Sequence, residues 1–400
     1  MKTVWICDYA RTPIGRFGGV LATLRTDDLA AAALREIVRR HPGLPDVLDH
    51  VLLGCANQAG EDNRNVARMA ALLTGLPSTI PALTVNRLCA SGMDAVASAA
   101  RMILCGEADV VLAGGVESMT RAPLVMAKAE AAFQRKMEIH DSTIGWRFIN
   151  PRMREAFGVD SMPETAENVA EARGVSREDQ DAFAFRSQQR TAKAVAGGRF
   201  ARSLFAVEVP GPKGTGRIVG ADEHPRPETT LEGLAKLKPA VRTGGTITAG
   251  NSSGVNDGAA VLLLASADAA VRWGLTPLAK ISGFSAAGVE PRLMGLGPVP
   301  ATKRLLKRLG WSLAAVDLLE LNEAFASQAL ACLRELGLPD DAAHVNPCGG
   351  AISLGHPLGM SGARIVGTAA EELAANGFKK ALATMCVGVG QGTALALEAP

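Results

Sequence analysis

The sequence predicts an α/β protein made of two copies of one βα unit set, with paired sheets, helices outside them and a shared layer of buried helices between. Three observations lead there. Apolar strands and Ala-rich helices alternate over residues 1–118, and the alternation returns beyond Thr243. Landmarks of the first stretch recur in order in the last: Asp49–Asn57 matches Asp317–Phe325 in pattern, and Ser91-Gly92-x-x-x-Val96-x-x-Ala99-Ala100 returns as Ser361-Gly362-x-x-x-Val366-x-x-Ala369-Ala370. Gly106 ahead of Val110–Ala113 likewise corresponds to Gly377 ahead of Ala381–Thr384. Chance supplies one such match easily, and three in register much less so. Finally, Asp109–Gly115 is an apolar run, as expected of a strand covered on both faces. Loops carrying chemistry would then converge where the halves meet.

Taken in order, Thr3–Cys7 opens the chain as a strand. Thr26–Arg40 reads as a helix, with Asp27 and Asp28 in its first turn and Arg39 and Arg40 at its end, matching the helix dipole. A strand His50–Gly54 follows, then a helix Asn63–Thr74 stopped by Gly75 and Pro77. The β-like run Ile80–Val85 leads into Asn86-Arg87-Leu88-Cys89-Ala90-Ser91-Gly92 and a buried helix from Met93. From about Thr120 to Arg242 the chain is more charged and irregular. It holds helices Thr165–Arg173 and Arg177–Ala196, the second opened by Ser176 and Asp179 in the pattern of a capping box. The expected division is 1–119 completed by 247–275, an inserted 120–246, and 276–400.

Composition narrows the classes. Four hundred residues, 48% of them apolar, can bury sizeable cores, and a formal net charge of +2 gives no reason to expect nucleic acid. Residues 121–242 hold 20 Lys and Arg against 16 Asp and Glu, a mildly basic segment that could receive an anionic cofactor. Seven cysteines, an odd number with no Cys-x-x-Cys pair, argue against a disulfide framework and a structural zinc site, so no metal is expected. A strand at the N-terminus, no apolar run long enough for a bilayer and no C-terminal Ser-Lys-Leu suggest a soluble cytoplasmic protein with no membrane partner.

Four stretches carry chemistry. Cys89 falls at a strand-to-helix turn, where the positive end of a helix favours thiolate; the competing reading is an inert core cysteine. Gly349–Gly359 is an uncharged Gly-rich loop whose His356 precedes Pro357, which keeps the histidine out of the helical region. Met385–Gly392 resembles a dinucleotide glycine loop, but a strand follows rather than a helix. The better reading is a second cysteine, Cys386, whose loop supplies backbone N–H groups. Asn322-Glu323-Ala324-Phe325 lies where a strand ends and a helix to Leu336 begins.

Together these stretches, with Gly250–Gly258, resemble the thiolase family over nearly the whole chain. Ile144–Pro151, Asp160–Thr165 and Arg226–Leu231 resemble the branch of that family acting on 3-oxoadipyl-CoA. The resemblance implies a thiolase fold: two βαβαβαββ halves in α-β-α-β-α layers, with an inserted loop domain. It implies an acyltransferase that cleaves a 3-oxoacyl-CoA with coenzyme A as co-substrate and no covalently bound cofactor. In that pattern Cys89 is the nucleophile, His356 takes its proton, and Cys386 serves the enolate and the second CoA thiol. Two oxyanion holes are implied, one from His356 with a water on Asn322, the other from the N–H groups of Cys89 and Gly388. Ser253 contacts the pantetheine, Arg226 lies by the nucleotide, and Met162, Met294 and Phe325 line the pocket. Arg147, or else Arg121, is the candidate for a substrate carboxylate. A homo-oligomer, a dimer or dimer of dimers, is implied too.

Alternatives are an acetoacetyl-CoA thiolase working in the condensing direction and an inactive CoA-binding scaffold. A decarboxylating ketosynthase of the same fold uses a cysteine with two histidines, and Asn322 and Cys386 stand against that reading. Cys348 and Ser353 depart from the family's usual Asn and Ala. Cys348 is expected behind the His356 loop, where a thiol holds a backbone turn less well than an amide.

Overall fold

The computed structural model describes residues 2–211 and 214–400. In the N-terminal half, strands β1 (Val4–Arg11), β2 (His50–Gly54), β3 (Ala82–Val85), β4 (Val110–Ser118) and β5 (Asn256–Ser266) stand in the order β3-β2-β4-β5-β1. Helices α1 (Thr26–Arg40), α2 (Val66–Thr74) and α3 (Ser91–Cys105) connect them. Between β4 and β5 lie α4 (Met162–Arg173), α5 (Arg177–Ala196) and two small hairpins. The C-terminal half orders β7 (Leu318–Leu321), β8 (Lys380–Val387), β9 (Gln391–Glu398) and β6 (Ala279–Gly288) as β7-β8-β9-β6. Its helices are α6 (Pro298–Leu309), α7 (Ala326–Glu335) and α8 (Leu358–Asn376).

The two halves repeat strand for strand. β2 and β4 are parallel, and β4-β5-β1 antiparallel; β7 and β8 are parallel, and β8-β9-β6 antiparallel. The fifth strand of the second half shrinks to one parallel bridge, Leu319 to Val345. Asp49 caps the start of β4 by accepting from the N–H groups of Asp109 and Val110, and Asp317 does the same for Lys379 and Lys380 at β8. Gly106 and Gly377 both end their helices in the left-handed region, at φ 80° and 67°. The halves join edge to edge through two residue pairs of β1 and β6.

Period-two patterning sorts the strands into layers. On β4, Val111 and Ala113 enter a central core with α3 and α8, while Val110, Leu112 and Val116 face α1 and α2. A third core places α6 and α7 over the far side of the second sheet. The result is α-β-α-β-α, with α3 and α8 as the shared buried layer. They meet at the repeated glycines: a Cβ on Gly92 would lie 2.5 Å from the Gly359 carbonyl oxygen, and one on Gly362 would lie 2.4 Å from the Met93 nitrogen. The window Leu88–Cys105 has a mean hydropathy of 1.3, enough by composition for a membrane span, but it is this core helix and 67% buried.

Several boundaries moved. The second helix starts at Val66, because Asn65 is left-handed at φ 67° and caps it through the Arg68 N–H. Helix α7 starts at Ala326, not at Asn322, since residues 324–326 pair in extended form with 251–253. Ser176 accepts from the Asp179 N–H, but the reciprocal bond forms at the other helix, where Glu164 accepts from the Ser161 N–H at 2.7 Å. We propose the domain division 1–119 with 247–275, 120–246, and 276–400, supported by β5 inserting beside β4 within the first sheet.

Candidate active site

Cys89 occupies a tight turn, Leu88–Ala90, at the head of α3, and Leu88 is held left-handed at φ 46°. The turn packs on β8, the strand of Cys386. Ser91 secures it, accepting from the Arg87 N–H at 2.9 Å and donating to the Leu88 carbonyl at 2.6 Å. Burial works against the thiolate expected at the helix end. Burial pushes Cys89 up to about 11, opposed by N–H groups of Gly388 and of Cys89 itself. Desolvation of this largely buried sulfur outweighs the N–H groups near it. Cys386, fully buried, is also raised well above its ordinary value, by burial and then by the nearby Cys89.

His356 is 5% exposed and pinned from three sides. Its N–H donates to Asn256 Oδ1 at 2.9 Å, and its Nδ1 lies 2.6 Å from Ser361 Oγ. Ser361 has one proton, which the Pro357 carbonyl takes at 2.8 Å. Nδ1–H therefore donates to Ser361, and Nε2 keeps its lone pair. Asn322 Nδ2 lies 3.5 Å from that Nε2, and its buried Oδ1 has no partner among the described residues. Burial, with Arg364 second, lowers His356 to about 3, so the ring stays neutral. Gly355, at φ 103°, is obligatory: a Cβ there would sit 2.7 Å from the Asn256 amide carbon.

A cavity of about 440 Å³ opens onto Cys89 and Gly388, with Met162, Leu358, Glu117 and Arg147 also in its wall. Met162, Met294, Phe325 and Cys386 form one apolar cluster. Arg121 does not reach the cavity; it is paired with Glu61.

A profile of the thiolase N-terminal domain matches residues 4–268, and one of the thiolase C-terminal domain matches 275–399. The chain belongs to the thiolase family. It is 62% identical to a beta-ketoadipyl-CoA thiolase of Pseudomonas aeruginosa over 99% of both chains. It is 61% identical to a 3-oxoadipyl-CoA/3-oxo-5,6-dehydrosuberyl-CoA thiolase of Escherichia coli over 100% of both. The solved acetyl-CoA acetyltransferase of Bacillus anthracis superposes with a TM-score of 0.93 at 42% identity, covering 100% of this chain and 99% of that one. Human mitochondrial 3-ketoacyl-CoA thiolase in complex with CoA gives 0.92 at 40%, covering 100% and 98%.

This thiolase is an acyltransferase with coenzyme A as co-substrate. Its other expected CoA residues lie outside the wall of the Cys89 cavity: Ser253 is half-buried, its N–H bound to the Ala324 carbonyl, and Arg226 is exposed, its N–H bound to Gln188. The sequence reading gave no role to two residues, Glu117 and Glu323. Glu117, buried at the end of β4, accepts N–H bonds from Ala56 at 2.9 Å, Asn57 at 3.0 Å and Gly359 at 2.8 Å, tying the His356 loop to the first sheet. Burial raises its carboxyl to about 7 despite those donors. A lone acid at the end of an apolar strand was the available signal. Glu323 accepts from Ser187, Asn346 and the Ile352 N–H, so the helix α5 braces the same loop. Cys55, Asp62 and Glu117 lie close enough to share an ion, but the Glu117 oxygens and the Cys55 thiol are already engaged by backbone groups.

Cys348 is turned away from that work. Its sulfur lies 3.6 Å from Glu372, and the turn is held by Asn346, whose amide bridges the Leu321 N–H and carbonyl at 2.8 Å each. Ser353 joins a buried hydroxyl cluster with Ser187 and Thr191, at 2.9 and 2.6 Å.

Proposed function

We propose that this thiolase cleaves 3-oxoadipyl-CoA with CoA to acetyl-CoA and succinyl-CoA through an acyl-enzyme on Cys89. One observation carries the chemistry: Cys89 and the Gly388 N–H share a cavity, with Cys386 behind and the His356 loop entering through Leu358. The substrate is supported by the names of relatives at 61–62% identity.

The Cys89 sulfur attacks C3 while its proton passes to His356 Nε2. A raised thiol and a lowered imidazole both favour the neutral pair, so the proton moves as the S–C bond forms. The C2–C3 bond then breaks, leaving the acyl group on Cys89 and an acetyl-CoA enolate that takes the proton of Cys386. The incoming CoA thiol returns a proton to Cys386 and attacks the thioester, and Cys89 leaves, recovering its proton from His356. Asn322, with a water on its free Oδ1, and His356 receive one developing oxyanion; the N–H groups of Cys89 and Gly388 receive the other. Each such donor is worth about 10²–10³-fold in rate. Ser253 and Arg226 hold the pantetheine and nucleotide of CoA, and Met162, Met294 and Phe325 shape the tunnel to Cys386.

We further propose a dimer of dimers in the cytoplasm. Leu124, Met126 and Ile139 are exposed on one hairpin, Leu83 lies on an uncovered edge strand, and seven unpaired cysteines suit a reducing compartment. Mass spectrometry and thiolysis kinetics test the assignment together. Cys89→Ala should lose both acyl-enzyme and turnover; Cys386→Ala should still acylate from acetyl-CoA but fail in C–C cleavage. A parent that takes no acyl group would be a scaffold. A parent faster with acetoacetyl-CoA than with 3-oxoadipyl-CoA would be an acetoacetyl-CoA thiolase.

A further inference from the structure

We propose that Arg147 is the specificity-determining residue of the acyl pocket, a preformed receptor for a carboxylate at the far end of the acyl chain. The inference rests on the 3-oxoadipyl-CoA reading and names the group that enforces it.

Arg147 is the sole cation in the wall of the Cys89 cavity among the described residues. It is half-buried and makes no hydrogen bond or ion pair there, whereas neighbouring arginines are committed: Arg121 to Glu61, Arg87 to Asp94 and Gln391. A guanidinium without a protein partner, in the wall of a mostly apolar cavity, keeps all its donors free for an arriving anion. Glu117, the acid in the same wall, does not compete, since both its oxygens accept backbone N–H bonds.

The segment carrying Arg147 is built to hold its position. Gly145 is at φ 91° and Phe148, a non-glycine residue, at φ 50°. Strain of that kind persists only where surroundings enforce it. Trp146 Nε1 donates to the Asp160 carbonyl at 3.2 Å, and Phe148 meets the His140 ring edge-on at 5.0 Å. The backbone at Arg147 is thus held between two aromatics that have tertiary partners of their own.

The chemistry follows from chain length. In the acyl group left on Cys89, the terminal carboxylate lies three carbons from the carbonyl, within the cavity whose wall carries both Cys89 and Arg147. A planar, always charged fork can donate to it bidentately; a methyl terminus in the same place offers no acceptor.

The test compares kcat/KM for 3-oxoadipyl-CoA with that for 3-oxohexanoyl-CoA, which has the same chain ending in a methyl group, in the parent, Arg147→Gln and Arg147→Lys. The ratio cancels damage common to both substrates. The parent should favour the dicarboxylate, Arg147→Gln should lose about tenfold or more of that preference, and Arg147→Lys should fall between. A parent without the preference overturns the substrate reading. A parent that has it, with Arg147→Gln keeping it undiminished, overturns the role of Arg147 alone.

Discussion

At the scale of single residues, burial decides more than local sequence position. The Cys89 thiol rises to about 11 although it stands at a helix head with two N–H groups near it, and His356 falls to about 3. Both stay neutral until substrate arrives, which suits a site that must make charge only in transit. Cys348 shows the same priority of environment. It replaces an amide, yet Asn346, two residues earlier, already satisfies both polar groups of Leu321 and reaches Glu323. Cys348→Asn should therefore leave kcat/KM equal or higher. A loss beyond about tenfold, roughly 1.4 kcal/mol, would mean that the turn depends on the thiol.

At the scale of elements, the His356 loop is positioned by contacts between distant strands and helices. Glu117 accepts three N–H bonds with two oxygens, so Glu117→Gln must aim an amide donor at one of those N–H groups. Such a mismatch costs about 1–3 kcal/mol. The variant should lose about tenfold in kcat with a smaller change in KM, because the loop bearing His356 is displaced rather than the CoA path. Wild-type kcat in this variant would remove Glu117 from any positioning role. The helix crossing is tighter still. Gly92→Ala would place a methyl within 2.5 Å of the Gly359 oxygen, in backbone that cannot yield, whereas Gly43→Ala meets nothing within 4 Å. Thermal unfolding should show Tm falling steeply, or no folded protein, for Gly92→Ala, and nearly no change for Gly43→Ala. Equal melting temperatures would refute the close crossing of α3 and α8.

At the scale of the whole molecule, two layers of sheet enclose acids in a dry interior. Burial raises Glu320 to about 8, with Arg364 partly offsetting it, against an ordinary 4.5. An unfolded chain releases that proton near pH 4.5 while the folded one keeps it. The stability carried by neutral Glu320 is therefore complete below about pH 4.5 and lost as pH rises through 8. His356 and His224, lowered to about 3 and 4, act oppositely and cost stability as pH falls below 6.5. Glu320→Gln cannot ionise, so its Tm should gain on the parent between pH 5 and pH 9, by on the order of 5 °C. A constant difference across that range would show that Glu320 is charged in the folded protein at all these values.

Short windows of sequence were enough for the alternation of strands and helices, the twofold repeat and the motif around each catalytic candidate. Those features depend on neighbouring residues: apolar periodicity, first-turn acids such as Asp27, and cap glycines such as Gly106. The limits α1 Thr26–Arg40, β2 His50–Gly54 and α5 Arg177–Ala196 were legible to the residue for that reason. Only tertiary structure decided what depends on partners far along the chain. It delayed α7 to Ala326, because residues 251–253 pair beside it. It made Glu117 the clasp of the His356 loop, whose donors come from residues 56, 57 and 359. It paired Arg121 with Glu61 and left Arg147 in the wall of the Cys89 cavity, and it raised the thiol and lowered the imidazole by enclosing them. Desolvation and long-range hydrogen bonds are properties of a packed interior, and no local pattern of residues carries them.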